Sequence, residues 1–487
     1  MLLFLKENLW KILLGLNYTL VIVVSFIIVL KNRNPVKTLS YLFALAVLPF
    51  LGLLVYYFFG QDYRKDKIFK KKYLSDNTKL KKWREELALD SKEKEDFEDE
   101  YGPAIYKIYR LLRNNEKAVL TFNNSCQIQV NGEEKYKTLR KDLLNAKHHI
   151  HLEYFVLVDD KLGGEIIDIL CNKAQKGVKV RLIYDDVGSS ISSKSKKLLT
   201  SNGVEHFPFM PVLFSNFTSK INYRNHRKII VIDGEVGYVG GINIEQKYDN
   251  SFVNKRFWRD THVRLEGEAV GSLQASFLLN WSFVSNGKPE IDNGYFPKPH
   301  KIFQNPKAVQ IASSGPDSDW ANIMEAIFSL INSAREYLFI TTPYLIPNSE
   351  ILTSIKTAAR SGVDVKILIP WKSDSWAAQY ASDSYIEQLL ESGVRIFRYK
   401  KGFIHAKSMV SDNRITTIGT ANLDYRSFAI NFEINSLIYD RELAMNAKEI
   451  FQSDLVDSEE VDLERWKNRS IRRKLQESFS RLWAPLL

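Results

Sequence analysis

The 487-residue chain is 45% hydrophobic and 12% aromatic, which excludes a disordered protein and leaves room for two or three domains. Its formal charge of +11 is concentrated at the ends: residues 1–72 carry +8, residues 465–487 carry +6, and the long middle carries −3. That distribution argues against a nucleic-acid enzyme, whose working domain would be basic, and for an anionic membrane surface as partner.

The first elements are apolar. Ile12–Leu30 and Thr38–Gly60 are uncharged stretches of 19 and 23 residues, each long enough to cross a hydrocarbon core of roughly 30 Å. The short connector, Lys31 to Lys37, predicts a transmembrane helical hairpin over residues 1–62. No small-residue cleavage site follows the first stretch, which disfavours a signal peptide. Arg64, Lys65, Lys67, Lys70, Lys71 and Lys72 outnumber the three positive charges of the connector, so the main body is expected on the cytoplasmic face. Residues 63–105 then read as a charged juxtamembrane linker, with nine acidic residues between Glu85 and Glu100. Cys126 and Cys171, the only cysteines, are too few for a disulfide framework or a thiolate metal site.

Beyond residue 105 the pattern alternates between strand and helix, and it repeats. Residues 174–183 match residues 359–368, with Gly177 and Gly362 closing a helix immediately before a β-branched strand. This predicts a first half at 106–300 and a second at 301–487, the second ending in a basic amphipathic segment. Each half contains His-x-Lys-x4-Asp: His226, Lys228 and Asp233, then His405, Lys407 and Asp412. A glycine follows each histidine by fourteen residues (Gly240, Gly419) and an asparagine by seventeen (Asn243, Asn422).

Residues two apart in a strand face one side, so histidine and lysine of each motif should share a pocket. Asp233-Gly234 and Asp412-Asn413 are hairpin-turn pairs, and the aspartates lie an odd number of residues from their histidines. They are therefore read as structural members of an otherwise catalytic motif. Two histidines suit phosphodiester exchange: a neutral imidazole attacks phosphorus while a protonated one donates to the departing alkoxide. Two lysines would balance charge on the non-bridging oxygens, with Asn243 and Asn422 as donors, so neither a metal nor another cofactor is called for. Glu433 and Asp260, each about thirty residues past a motif, are candidates for fixing the histidine tautomers.

These residues resemble the duplicated motif of the phospholipase D superfamily. The wider pattern is similar to bacterial cardiolipin synthases: Asn32-Arg-Asn-Pro35, Pro49-x-x-Gly52, Tyr56-x-x-x-Gly60, Glu153-Tyr-Phe155, Asn225-His-Arg-Lys228, Gly240-Gly-Ile-Asn243, Trp258-Arg-Asp-Thr-His262, Thr342-Pro-Tyr344, Gly419-Thr-Ala-Asn422 and Pro485-Leu-Leu487. The resemblance implies an α/β fold of two pseudo-twofold-related phospholipase D-like halves, each a β-sheet flanked by helices, preceded by the transmembrane hairpin. It also implies a phosphohistidine intermediate and transfer of a phosphatidyl group between two phosphatidylglycerol molecules, giving cardiolipin and glycerol. By analogy His226 is the nucleophile and His405 the acid/base. Glu153 and Tyr344 are candidate substrate-binding residues because their strands should end near the site.

His148, His149 and His151 cluster without an acidic or thiolate partner and are read as structural; His206, His262 and His300 are assigned no function. Trp466, Leu475, Leu482 and Trp483 among seven basic residues suit either an interfacial segment or a final helix docked on the core. The rival readings are a membrane phospholipase D using water, a serine-using phosphatidyltransferase, a nuclease and a non-enzymatic scaffold. Oligomeric state is left open.

Overall fold

The computed structural model describes residues 2–31, 35–48, 50–53, 56, 78–211, 223–285, 287, 291–297 and 301–484. Asn32 to Asn34, Pro49, Gly60, the basic run at 64–72, His300 and Pro485 to Leu487 lie outside the described residues. The chain divides into two units, residues 1–73 with 213–219 and residues 74–212 with 220–487.

In the first unit, helix Leu2–Lys31 contains a 23-residue apolar span, Asn8–Leu30, long enough to cross a membrane. The second apolar stretch is not one continuous helix. Helix Pro35–Val47 is followed by a turn, with Phe50 at φ +60°, before helical residues 51–53. The proline at 49 offers no N–H to extend the helix. Asn17 accepts a hydrogen bond from the Phe50 N–H at 3.0 Å, and Trp10 packs on Phe50, so the two segments touch.

The second unit contains two large sheets. One has seven strands in the spatial order Asn124–Val130, Thr261–Gly267, Val236–Gly240, Lys228–Ile232, His149–Tyr154, Lys179–Asp185 and Glu205–Phe209. The other has nine, and its seven inner strands follow the same order: Ala308–Ser314, Glu433–Tyr439, Ile415–Gly419, Ser408–Ser411, Tyr337–Thr341, Asp364–Pro370 and Arg395–Tyr399.

Ile229 and Val231 from one sheet share a buried cluster with Ile418, Ile434 and Ile438 from the other, so the sheets pack face to face. The opposite faces are covered by helices, including Lys161–Gln175 on the first sheet and Asn322–Ser333 on the second. Strand Lys228–Ile232 is therefore buried on both sides, which explains its unbroken run of β-branched residues.

The expected domain boundary needs correction. Helix Ser91–Tyr101, assigned to the linker, and helix Pro103–Glu116, assigned mainly to the first half, place Phe97, Ile105, Ile108 and Leu112 in the core of the second half. Strand Leu120–Thr121 also joins the second sheet. The acidic residues of the "linker" are the solvent face of a packed helix, whose few apolar positions gave a weak signal.

The motif aspartates sit at the strand ends remote from the histidines. Asp233 accepts from the N–H groups of Lys147, His148 and His149 at 2.7–2.9 Å, and Asp412 from those of Arg335, Glu336 and Tyr337 at 2.8–3.0 Å. Both occupy positive φ, at +55° and +54°, in tight turns. Each carboxylate thus pins the start of the neighbouring strand. Asp412→Ala is expected to lower stability by about 2–4 kcal/mol, since several N–H groups lose their acceptor, while the folded fraction keeps its kcat. Denaturant unfolding alongside an activity titration checks this.

Candidate active site

Each histidine stands beside a strand segment contributed by the other half. Asn225 bridges to Phe432 in a parallel arrangement, and the His226 N–H donates to the Phe432 carbonyl at 3.0 Å. Gly402–Ile404 pairs in parallel with Phe257–Arg259, and the His405 N–H donates to the Arg259 carbonyl at 2.7 Å. The next residue in each register is a carboxylate. Glu433 therefore meets His226, and Asp260 meets His405.

The contacts are close. His226 Nδ1 lies 2.9 Å from both Glu433 carboxylate oxygens, and His405 Nδ1 lies 2.8 Å from Asp260 Oδ2. A carboxylate accepts, so each Nδ1 carries the proton and each Nε2 keeps its lone pair. Thr420 and Ser427 donate to Glu433 at 2.5 and 2.9 Å, and the Thr261 N–H donates to Asp260 at 2.8 Å. A methyl group on Gly241 would collide with the Asp260 carboxyl, and one on Gly419 with Asn435. Close backbone approach therefore accounts for the glycines of the two downstream motifs.

Burial pushes His226 down to about 4 despite Glu433, and burial with the Lys407 charge takes His405 to about 4 as well. Burial raises Glu433 and Asp260, but the histidine partners, the Lys228 and Lys407 charges and the Thr420 and Thr261 donors together outweigh it and leave both carboxyls below their ordinary values. Lys228 and Lys407 are pushed down by burial to about 7 and about 8. Lys407 also acts on His226, and Lys228 on His405, so the four side chains belong to one charge-coupled cluster drawn from both halves. The lysines are anchored by the carbonyls of their own motif histidines, at 2.6 and 2.5 Å.

A pH dependence follows. A lysine whose pKa is lowered carries its charge below that value and loses it above. With phosphodiester substrate in mixed micelles, kcat/KM is expected to fall as pH rises through about 7 to 8, well before the ordinary lysine range near ~10.4. A profile flat to pH 9 would contradict this role for the lysines.

The remaining expected site residues are placed differently. The Asn243 amide donates to the Tyr248 hydroxyl at 3.2 Å and accepts from the Val156 N–H; the Asn422 amide donates to Asp424 at 2.9 Å. Each amide nitrogen has a second hydrogen with no partner among the described residues. Glu153 is fully buried, accepts from Asn225 at 2.8 Å and from Asn280, and so holds the turn that presents His226. Tyr344 is half-buried and donates to Asp374 at 2.9 Å, and the Asp374 charge acts on Lys407, which puts this pair beside the site. The histidine cluster has no role in the site: His149 and His151 bind Gln274 and pack on Tyr295 inside the first half.

Sequence reasoning missed several contributors. Trp258 packs on His405 at 5.3 Å and Phe155 on His226 at 4.9 Å, so aromatic rings border both imidazoles. Lys135 is fully buried beneath the Gly240–Asn243 segment. It donates to the Ile242 carbonyl at 2.8 Å and acts electrostatically on Asp260 and Lys228. Its position on the apolar face of helix Asn131–Asn145 was the available signal.

Several known proteins are similar to this chain. The family described as cardiolipin synthase, PLD-like domain, matches residues 139–253 and 327–455, and the family described as phospholipase D-nuclease N-terminal matches residues 20–61. Cardiolipin synthase 2 of Bacillus anthracis is 41% identical over 95% of this chain and 89% of its own length. A cardiolipin synthase of Geobacillus sp. is 39% identical over 100% of this chain and 97% of its own. The fold is similar to the crystal structure of phosphatidylserine synthase from Haemophilus influenzae, with a TM-score of 0.61 at 16% identity, over 78% of this chain and 100% of that one. Two histidine motifs joined across two like-ordered sheets, with relatives of this similarity spanning the whole chain, place the protein in the bacterial cardiolipin synthase family of the phospholipase D superfamily.

Proposed function

We propose that the protein is a phosphatidyltransferase that makes cardiolipin and glycerol from two molecules of phosphatidylglycerol. The observation that carries this reading is the pair of histidines, each oriented by a carboxylate of the opposite half, in one cluster with two buried lysines.

His226 Nε2 attacks the phosphorus of the first phosphatidylglycerol. The bond to the glycerol headgroup breaks, and His405 gives its proton to the departing oxygen. Both rings are neutral at rest, and the negative charge of a bound phosphodiester favours a proton on the acid. The terminal hydroxyl of a second phosphatidylglycerol then loses its proton to His405 and attacks phosphorus, which releases His226. Lys228 and Lys407 balance the phosphoryl oxygens throughout. The same strand order in the two sheets supports a pseudo-twofold relation between the halves. The apolar span at Asn8–Leu30, the second apolar helix and the basic residues after it support a two-span anchor with the catalytic unit on the cytoplasmic face.

Purified protein in vesicles containing phosphatidylglycerol as the only phospholipid tests the reading. Cardiolipin with equimolar glycerol is expected; phosphatidic acid as the main product would make the enzyme a hydrolase.

A further inference from the structure

The carboxy-terminal helix Ile471–Leu482 is docked with its amphipathicity reversed. Amphipathic helices at the edge of a domain ordinarily bury the apolar stripe and expose the charges. Here the buried positions are Glu477 and Ser480. Arg469, just before the helix, donates to Glu477 at 2.9 Å and to Glu387 at 2.5 Å; Arg473 reaches Asp383 at 3.0 Å and Glu477 at 3.4 Å. Glu387 and Asp383 lie on helix Trp376–Leu390, so the last helix is held there by an ionic network capped by the ring of Trp466.

The apolar side chains point outward. Ile471 is 73% exposed, Leu475 64%, Phe479 56%, Leu482 76% and Trp483 49%. At about 100° per residue these five positions fall on one arc, opposite the buried Glu477 and Ser480. Exposed Arg472 lies on that arc, and half-buried Lys474 and exposed Arg481 flank its other edge. Between Arg465 and Leu487 the only acidic residue is Glu477, which the network neutralises, so the free charge of this face is positive. A water-facing surface would not carry a continuous row of large apolar residues along a whole helix. A row edged by Arg and Lys, with aromatics toward one end, matches an anionic bilayer surface.

We propose that helix Ile471–Leu482 is a lipid-binding element, lying in the plane of an anionic leaflet with Ile471, Leu475, Phe479, Leu482 and Trp483 among the acyl chains. Arg472, Lys474 and Arg481 then sit at headgroup level. The docking is a property of this surface and does not depend on which phosphodiester the active site exchanges. Because the helix is held to the catalytic unit by partly buried ion pairs, its insertion would fix how that unit stands on the bilayer.

The test uses the full chain with Cys126→Ser and Cys171→Ser, in vesicles of phosphatidylcholine with phosphatidylserine. A nitroxide is placed at Leu475→Cys or Leu482→Cys and, as a water-facing control, at Lys197→Cys. Lipid contact is expected to raise the collision rate with oxygen, relative to an aqueous nickel relaxant, several-fold at 475 and 482 over 197. Repeating the measurement in phosphatidylcholine alone is expected to narrow that difference. Stripe positions as open to nickel as residue 197 would overturn the proposal. So would positions shielded from both relaxants, which would mean that protein, such as a second copy, covers the stripe. Two independent label sites keep the outcome readable if one variant fails to fold.

Discussion

Replacing either motif histidine with alanine is expected to abolish cardiolipin formation, with a loss of at least ~10⁴-fold in kcat, comparable to removal of a nucleophile or its base in other covalent catalysts. The loss should be equal in rank for His226→Ala and His405→Ala, because one ring cannot be neutral nucleophile and protonated acid in the same step. Rapid quenching of wild-type enzyme with labelled phosphatidylglycerol, under non-acidic denaturing conditions, should yield a phosphatidyl adduct that maps by mass spectrometry to the peptide containing His226. An adduct on the His405 peptide would exchange the two roles. Substantial turnover by either variant would remove the two-histidine mechanism altogether.

The second large effect is expected at the carboxylates. Glu433→Gln and Asp260→Asn keep shape but place an amide where an anion accepts the Nδ1 proton of His226 or His405. An amide can present its NH2 group instead, which favours the wrong tautomer and takes away the charge that supports an imidazolium. Losses of roughly 10²–10⁴-fold in kcat are expected, with KM little changed, by analogy with amide substitution beside other catalytic histidines. Because the partners are exchanged between halves, Glu433→Gln should act on the step in which His226 attacks, although residue 433 lies in the second half. Measuring the burst of adduct formation separately from steady-state turnover checks this. A Glu433→Gln enzyme with a normal burst would assign the carboxylate another task.

Much of the candidate site was legible in the sequence. The two His-x-Lys-x4-Asp motifs, the downstream Gly and Asn, and the two acidic residues about thirty positions later are local patterns, and each marks a strand, a turn or a close backbone approach. The odd spacing of Asp233 and Asp412 located them at turns, where they hold backbone N–H groups. Less legible were Glu153 and Lys135. The burial of Glu153 depends on what lies over strand His149–Tyr154, which its alternating neighbours do not reveal, while for Lys135 the helical spacing to Leu139 and Leu143 was the one local sign. The acidic stretch around residue 95 misled for the complementary reason: its charge described the solvent face, while Phe97 alone marked the buried one.

The sequence by itself pointed to the chemistry, through residue types and spacings that act over a few positions of the backbone, and it carries the histidine motif twice. Only the tertiary structure decided which carboxylate serves which histidine. That choice arises from the register of segment 225 against 432 and of 404 against 259, pairings between residues 207 and 145 positions from their partners at the hydrogen-bonded ends. Register across such distances is set by how two sheets pack face to face, a collective property of many buried side chains that no local pattern encodes.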